Sequence, residues 1–246
     1  MFELFSPAIL ALFFVVALGA GYVRGFSGFG FSAIVVASMS LVMDPFVIVT
    51  MAIIFELVTS LFQFKAVYPI MEKPVVAKLL IGAAIAMPIG VSLLVSLDVD
   101  LVRIVLSLFI LGMCLVLLSG WSLKKKPGTM GQIGVGGISG FANSMAIGGL
   151  PVGLFLSAQN TKPSQFRANM IGYLFLLDLI GIVILYWHGR VTVAVLVSAA
   201  MILPAVLFGT YLGSRRFSNT PPANFKRLVI LLLIALSVMG LAKSFL

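Results

Sequence analysis

Arg24 is the first candidate for chemistry because of where it stands. It lies inside an apolar run from Pro7 to Met43, beside a break that reads Gly25-Phe26-Ser27-Gly28-Phe29-Gly30. A cation so far from any loop is costly to keep and is by default functional. Its planar guanidinium can clamp a sulfonate, sulfite or carboxylate through two bonds. The competing reading is that Arg24 snorkels to water at the far end of the run. A second glycine-rich run, Gly131 to Ala158, carries Ser139-Gly140-Phe141-Ala142-Asn143-Ser144. It has Gly136-Gly137 where the first has its arginine, so a site shared by the two breaks is asymmetric.

Each break should present a helix N-terminus, around Ser27–Phe31 in the first and Asn143–Ala146 in the second. Free N–H groups and the helix dipole favour an anion there. Ser27, Ser139, Asn143 and Ser144 add donors, while Gly25, Gly28, Gly30 and Gly140 open the backbone to a ligand. These residues and Arg24 form the candidate anion-binding set. For each glycine alone, close helix packing competes with ligand approach.

Two carboxyls sit inside other apolar runs, Glu56 and Asp178. A buried carboxyl can exchange a proton near neutral pH, so both are candidates for proton coupling. The alternatives are a neutral structural carboxyl or an ion pair with Arg24. Glu56, Thr59, Ser60 and Gln63 occupy i, i+3, i+4 and i+7, one polar stripe on a helix that should face inward. Asn169 and Tyr173 share the segment of Asp178. His188 closes a span and reads as a surface residue. Pro88 and Pro204 mark kinks or hinges, or are ordinary membrane prolines. Trp121, Tyr186 and Trp187 stand at span ends, as interfacial anchors do.

The elements that hold these residues follow from composition. Of 246 residues, 61% are hydrophobic and 9% charged, and mean hydropathy is +1.22. Soluble domains carry roughly 25% charged residues. So few charges cannot cover a soluble surface of this size, and disorder is excluded for the same reason. The runs do not alternate as barrel strands would. The chain therefore reads as an all-α integral membrane protein in a lipid bilayer. The single cysteine, Cys114, one histidine and no HExxH leave no metal site and no catalytic set, so no cofactor and no enzyme are expected. The +9 charge lies in short loops rather than a basic module, which argues against nucleic acid. The start, MFELFSPAIL, has no basic stretch and reads as no cleavable leader.

Beyond the two broken runs, spans are expected near Pro45–Phe64, Val75–Leu97, Val102–Trp121, Asn169–Trp187, Val191–Leu212 and Leu228–Phe245. The halves repeat. Phe26-Ser27-Gly28-Phe29 matches Ile138-Ser139-Gly140-Phe141, Asp44-Pro45 matches Lys162-Pro163, Pro88 matches Pro204, and Val102-Arg103-Ile104-Val105 matches Lys226-Arg227-Leu228-Val229. The expected division is a first membrane repeat at 1–122, a basic cytoplasmic linker at 123–130 containing Lys124–Lys126, and a second repeat at 131–246.

Charge decides the topology. If each broken run crosses once, the cations split eight to seven, which is no bias. If each turns back, Lys65, Lys73, Lys78, Lys124, Lys125, Lys126, Lys162, Arg167, Arg215, Arg216, Lys226 and Arg227 share one side against Arg103, Arg190 and Lys243. That is a strong positive-inside pattern. Each repeat is then a Gly-broken hairpin plus three transmembrane helices, and an odd number of crossings inverts one repeat against the other. Many secondary transporters are built this way. The arm Pro7–Val23 is long enough that it either spans or turns back.

The two Gly-rich breaks, the basic mid-chain loop and the arginines at 103 and 227 resemble the TauE/SafE-type sulfite exporter family over nearly the whole chain. The first break departs from the family's usual run of consecutive glycines. The resemblance implies a secondary transporter of sulfite, organosulfonates or related small anions, sited between the hairpins in a bacterial-type inner membrane. Carried onto this chain, it points to Arg24–Gly30 and Ser139–Ser144. The expectation is alternating access around an anion held between two tips. Transport direction, coupling ion and oligomeric state stay open. The competing classes are a membrane assembly factor and an anion channel without coupled transport.

Overall fold

The computed structural model describes residues 6–119, 127–159, 161–217 and 223–244. The expected linker cations Lys124–Lys126, the anchor Trp121 and the side chains of Lys226, Arg227 and Lys243 lie outside the described residues. The described residues are all helix and connecting turns, with no strand.

In the first half, α1 (Pro7–Ser27) is followed by the short α2 (Phe31–Met39), then α3 (Pro45–Val67), α4 (Lys73–Val95) and α5 (Val99–Leu118). The second half repeats that order with α6 (Thr129–Asn143), the short α7 (Gly149–Ser157), α8 (Pro163–Trp187), α9 (Val193–Arg216) and α10 (Ala223–Ser244). Six of these, α1, α3, α4, α5, α8 and α9, are long and apolar enough to cross a bilayer. At 21 residues α1 reaches about 31 Å, so the arm left open by the sequence has spanning length.

Local signals place the starts. Ser6 Oγ accepts from Ile9 N ahead of α1, Asp44 Oδ1 from Phe46 N ahead of α3, and Thr192 Oγ1 from Val195 N ahead of α9. Proline opens α1, α3 and α8, where its missing N–H has no partner to lose. The first break is made by two left-handed glycines, Gly28 at φ +87° and Gly30 at φ +90°. Gly28 N closes α1 on Arg24 O at 2.7 Å. The second break is a turn through Ser144–Ile147 with Ala146 at φ +56°. That turn moves the helix start. The second N-terminus lies at Gly149, not at Asn143–Ala146 as expected, because Ala146 and Ile147 N–H groups fold back on Asn143 and Ala142 carbonyls.

α3 and α8 pack on each other at the centre and are the most enclosed of the spanning helices. α1 lies along α9, α4 along α6, and α5 along α10. Replacing each helix by its counterpart in the other half (α1 with α6, α4 with α9, and so on) maps these pairs onto each other.

The small residues explain how closely the flanking pairs approach. A Cβ on Gly25 would overlap Thr210 O, and one on Gly213 would overlap Tyr22 O. On the other side, a Cβ on Gly140 would overlap Ala83 O, and one on Gly136 would overlap Leu79 O. Backbones meet directly along these seams, as small-xxx-small faces allow in a membrane. The packing reading therefore accounts for Gly25 and Gly140.

Candidate functional site

The polar stripe of α3 faces inward. Glu56, Thr59 and Ser60 are buried, and Gln63 is half-buried. Thr59 Oγ1 donates to the Phe55 and Glu56 carbonyls of its own helix, which satisfies it locally. Glu56 and Ser60 instead receive Arg24, which is fully buried. Arg24 Nη1 donates to Glu56 Oε1, and Nη2 donates to Ser60 Oγ and, at 3.2 Å, to Glu56 O. This corrects the snorkelling alternative. Arg24 turns into the protein, and its charge is met by Glu56 from a helix 32 residues away.

The Glu56 carboxyl also lies near Ser32, in the first turn of α2, but its Oε2 has no hydrogen-bond partner. That helix start has Gly30 as its N-cap and no capping side chain of its own. Asp178 of α8 is also fully buried and lies within electrostatic reach of Glu56 and Arg24. Asn143, at the end of α6, donates to Asp178 Oδ1 at 3.4 Å, while Asp178 Oδ2 and Asn143 Oδ1 have no hydrogen-bond partner. One polar cluster thus runs from the first break through Arg24, Glu56 and Asp178 to the second.

The other expected residues fall around this cluster. Ser27 Oγ bonds the Val23 and Phe29 carbonyls and shapes the first break. Ser139 Oγ donates to Gly148 O and accepts from Tyr173 at 2.8 Å, which pins the second. Ser144 Oγ donates to Phe141 O, at the edge of the same turn. Asn169 Oδ1 accepts from Glu72 N, away from Asp178. His188, Tyr186 and Trp187 are exposed.

Arg167 escapes a reading of the sequence, where it counts as a loop cation. It lies one turn inside α8, and its Nη2 donates to Gly25 O at 2.9 Å and Gln63 Oε1 at 3.2 Å. Its stem packs on Gly28 and its guanidinium stacks 4.9 Å from the Phe217 ring. One signal pointed to it: Arg167, Ile171, Leu174 and Asp178 share a helical face.

A cavity of about 240 Å³ adjoins the first break, at the end of the bundle where α5 and α9 stop and α8 begins. Ser27, Phe29 and Gly30 form one wall, with Phe26, Phe166 and Phe217 around it. Phe29 stacks edge-on against Phe166 and lies over Gly153 of α7, so the two hairpins touch here.

The family model for Sulfite exporter TauE/SafE matches residues 13–240. The chain belongs to that family. Neither a curated protein nor a solved structure matches it. Membership makes this TauE/SafE chain a multi-pass membrane transporter and implies a small anion as substrate. In this TauE/SafE protein both breaks, the buried arginine and both buried carboxyls fall within the matched residues.

Proposed function

We propose that the chain is a secondary transporter of an organosulfonate or sulfite, binding the anion where the two hairpin breaks meet and exposing it alternately to the two sides. The observation that carries this reading is the fully buried Arg24 in the last turn of α1, beside the first break, in a polar cluster that continues to the second break. A guanidinium beside an uncapped helix start is what a sulfonate needs. The adjoining cavity is walled by phenylalanines, which suits a carbon body attached to the anionic group. Both breaks stay at membrane depth because they are enclosed by protein, the condition irregular backbone requires there. The two repeats, 1–122 and 131–246, lie inverted in an inner membrane with their basic loops cytoplasmic. Proton coupling through Glu56 or Asp178 belongs to the same reading.

The test is flux of labelled sulfite and sulfonates into liposomes holding the purified protein, with thermal stabilisation over the same anions. Saturable flux and a stabilising anion are expected. Arg24→Ala should lose both. If Arg24→Ala binds these anions as well as the parent, the site is elsewhere. If no anion is carried or bound, the transporter reading falls.

A further inference from the structure

Resting on that reading of the Arg24 cluster as the anion site, we propose that Glu56 is the site's resident occupant. Its carboxylate holds the substrate's place in the empty protein, and a proton taken from water onto Glu56 releases that place to the anion.

What an arriving anion would use is already engaged by Glu56. Its Oε1 takes Arg24 Nη1, while its Oε2, near Ser32 at the uncapped start of α2, has no hydrogen-bond partner. Ser60, one turn further on, and the Glu56 carbonyl take Nη2. Only Nε of Arg24 is left without an acceptor. The pair is closed off from the surface, with both partners at most 1% exposed. Two negative groups cannot share one guanidinium there without a large uncompensated penalty. The anion must therefore displace the carboxylate, and a carboxylate leaves its partner most cheaply as a neutral acid.

The charge balance follows. Empty, the pair is one guanidinium and one carboxylate. Loaded, it is one guanidinium and one bound monoanion, with Glu56 neutral. One proton enters with each monoanion, so proton and anion move together and the pair stays neutral throughout.

The charged and titratable groups facing Glu56 are Arg24 from α1 and Asp178 from α8. Arg167, also on α8, faces Arg24. α2 contributes Ser32, and α5 and α9 present no such group to it among the described residues. Asp178 is held by Asn143 and makes no hydrogen bond to Arg24 among the described contacts, so its charge does not occupy the site.

The probes are methanesulfonate, isethionate and benzenesulfonate, which stay ionised from pH 5 to pH 8. Affinity of the purified parent should rise by about tenfold per pH unit of acidification, the slope of one linked proton. Proton uptake on binding, read in weakly buffered detergent solution, should be one per anion. Glu56→Gln should bind tightly at every pH and take up no proton. Asp178→Asn should keep the pH slope. The inference is overturned if the parent takes up no proton on binding, if folded Glu56→Gln keeps the parent's slope, or if Asp178→Asn alone removes it. Each of those results leaves the transporter reading standing. Failure of the parent to bind any of the probes or sulfite at any pH brings down both.

Discussion

Arg167 reaches from α8 to the carbonyl oxygen of Gly25, 142 residues earlier in the chain, and bonds it at 2.9 Å. The last turn of α1 is thereby tied to the helix that carries Asp178. Arg167→Ala should destabilise the protein by about 1.5–3 kcal/mol, the range for hydrogen bonds to charged groups. Thermal unfolding in detergent reads this. Arg167→Lys should recover part of the loss, because a lysine reaches one acceptor but lacks the fork that joins Gly25 and Gln63.

The Arg24–Glu56 pair predicts a pattern across a double-mutant cycle. Arg24→Leu leaves a carboxylate buried alone and should cost about 3–5 kcal/mol. Glu56→Leu strands the guanidinium and should cost a similar amount. The double variant should be markedly more stable than either single one, since no unpaired charge remains. Additive losses in unfolding experiments would show that the pair does not act as a unit.

Glycines on one helix should respond oppositely to alanine. Gly25 meets the Thr210 carbonyl, so Gly25→Ala must push α1 from α9, at about 1–3 kcal/mol. Gly19, on the same helix, has open space where a Cβ would stand. Gly19→Ala should be neutral or stabilise by up to ~1 kcal/mol. Comparing the two melting temperatures separates packing from helix propensity.

Tyr173→Phe removes the donor to Ser139 Oγ but leaves Ser139 its own bond to the Gly148 carbonyl. The expected loss is about 0.5–1.5 kcal/mol. Hydrogen exchange should speed up at residues 144–149 more than in α3, because the affected bond holds that turn.

The breaks, the inward stripe on α3 and the isolation of Arg24 were legible because each is local: glycine clustering, helical spacing, and a charge in an apolar run. The partner of Arg24 was narrowed to a short set but not chosen, since Glu56 and Asp178 are equally placed within their own helices. Only the packing of α1 and α2 on α3 decides between them. Arg167 was misplaced because it stands two residues ahead of the apolar stretch expected from Asn169, whereas helix α8 begins earlier, at Pro163. The division of labour among the glycines was also hidden. Gly25 and Gly28 look alike in sequence, yet one is a contact face for α9 and the other a left-handed turn.

The seams between α1 and α9 and between α4 and α6 join helices from different halves of the chain, backbone against backbone. The two halves of the chain therefore do not pack as separate bodies. Any rocking motion has to carry the first hairpin's long arm together with α9, and the second hairpin's arm together with α4. Any sliding surface must then cut across the two halves of the chain rather than run between them, with α3 and α8 packed together at the centre.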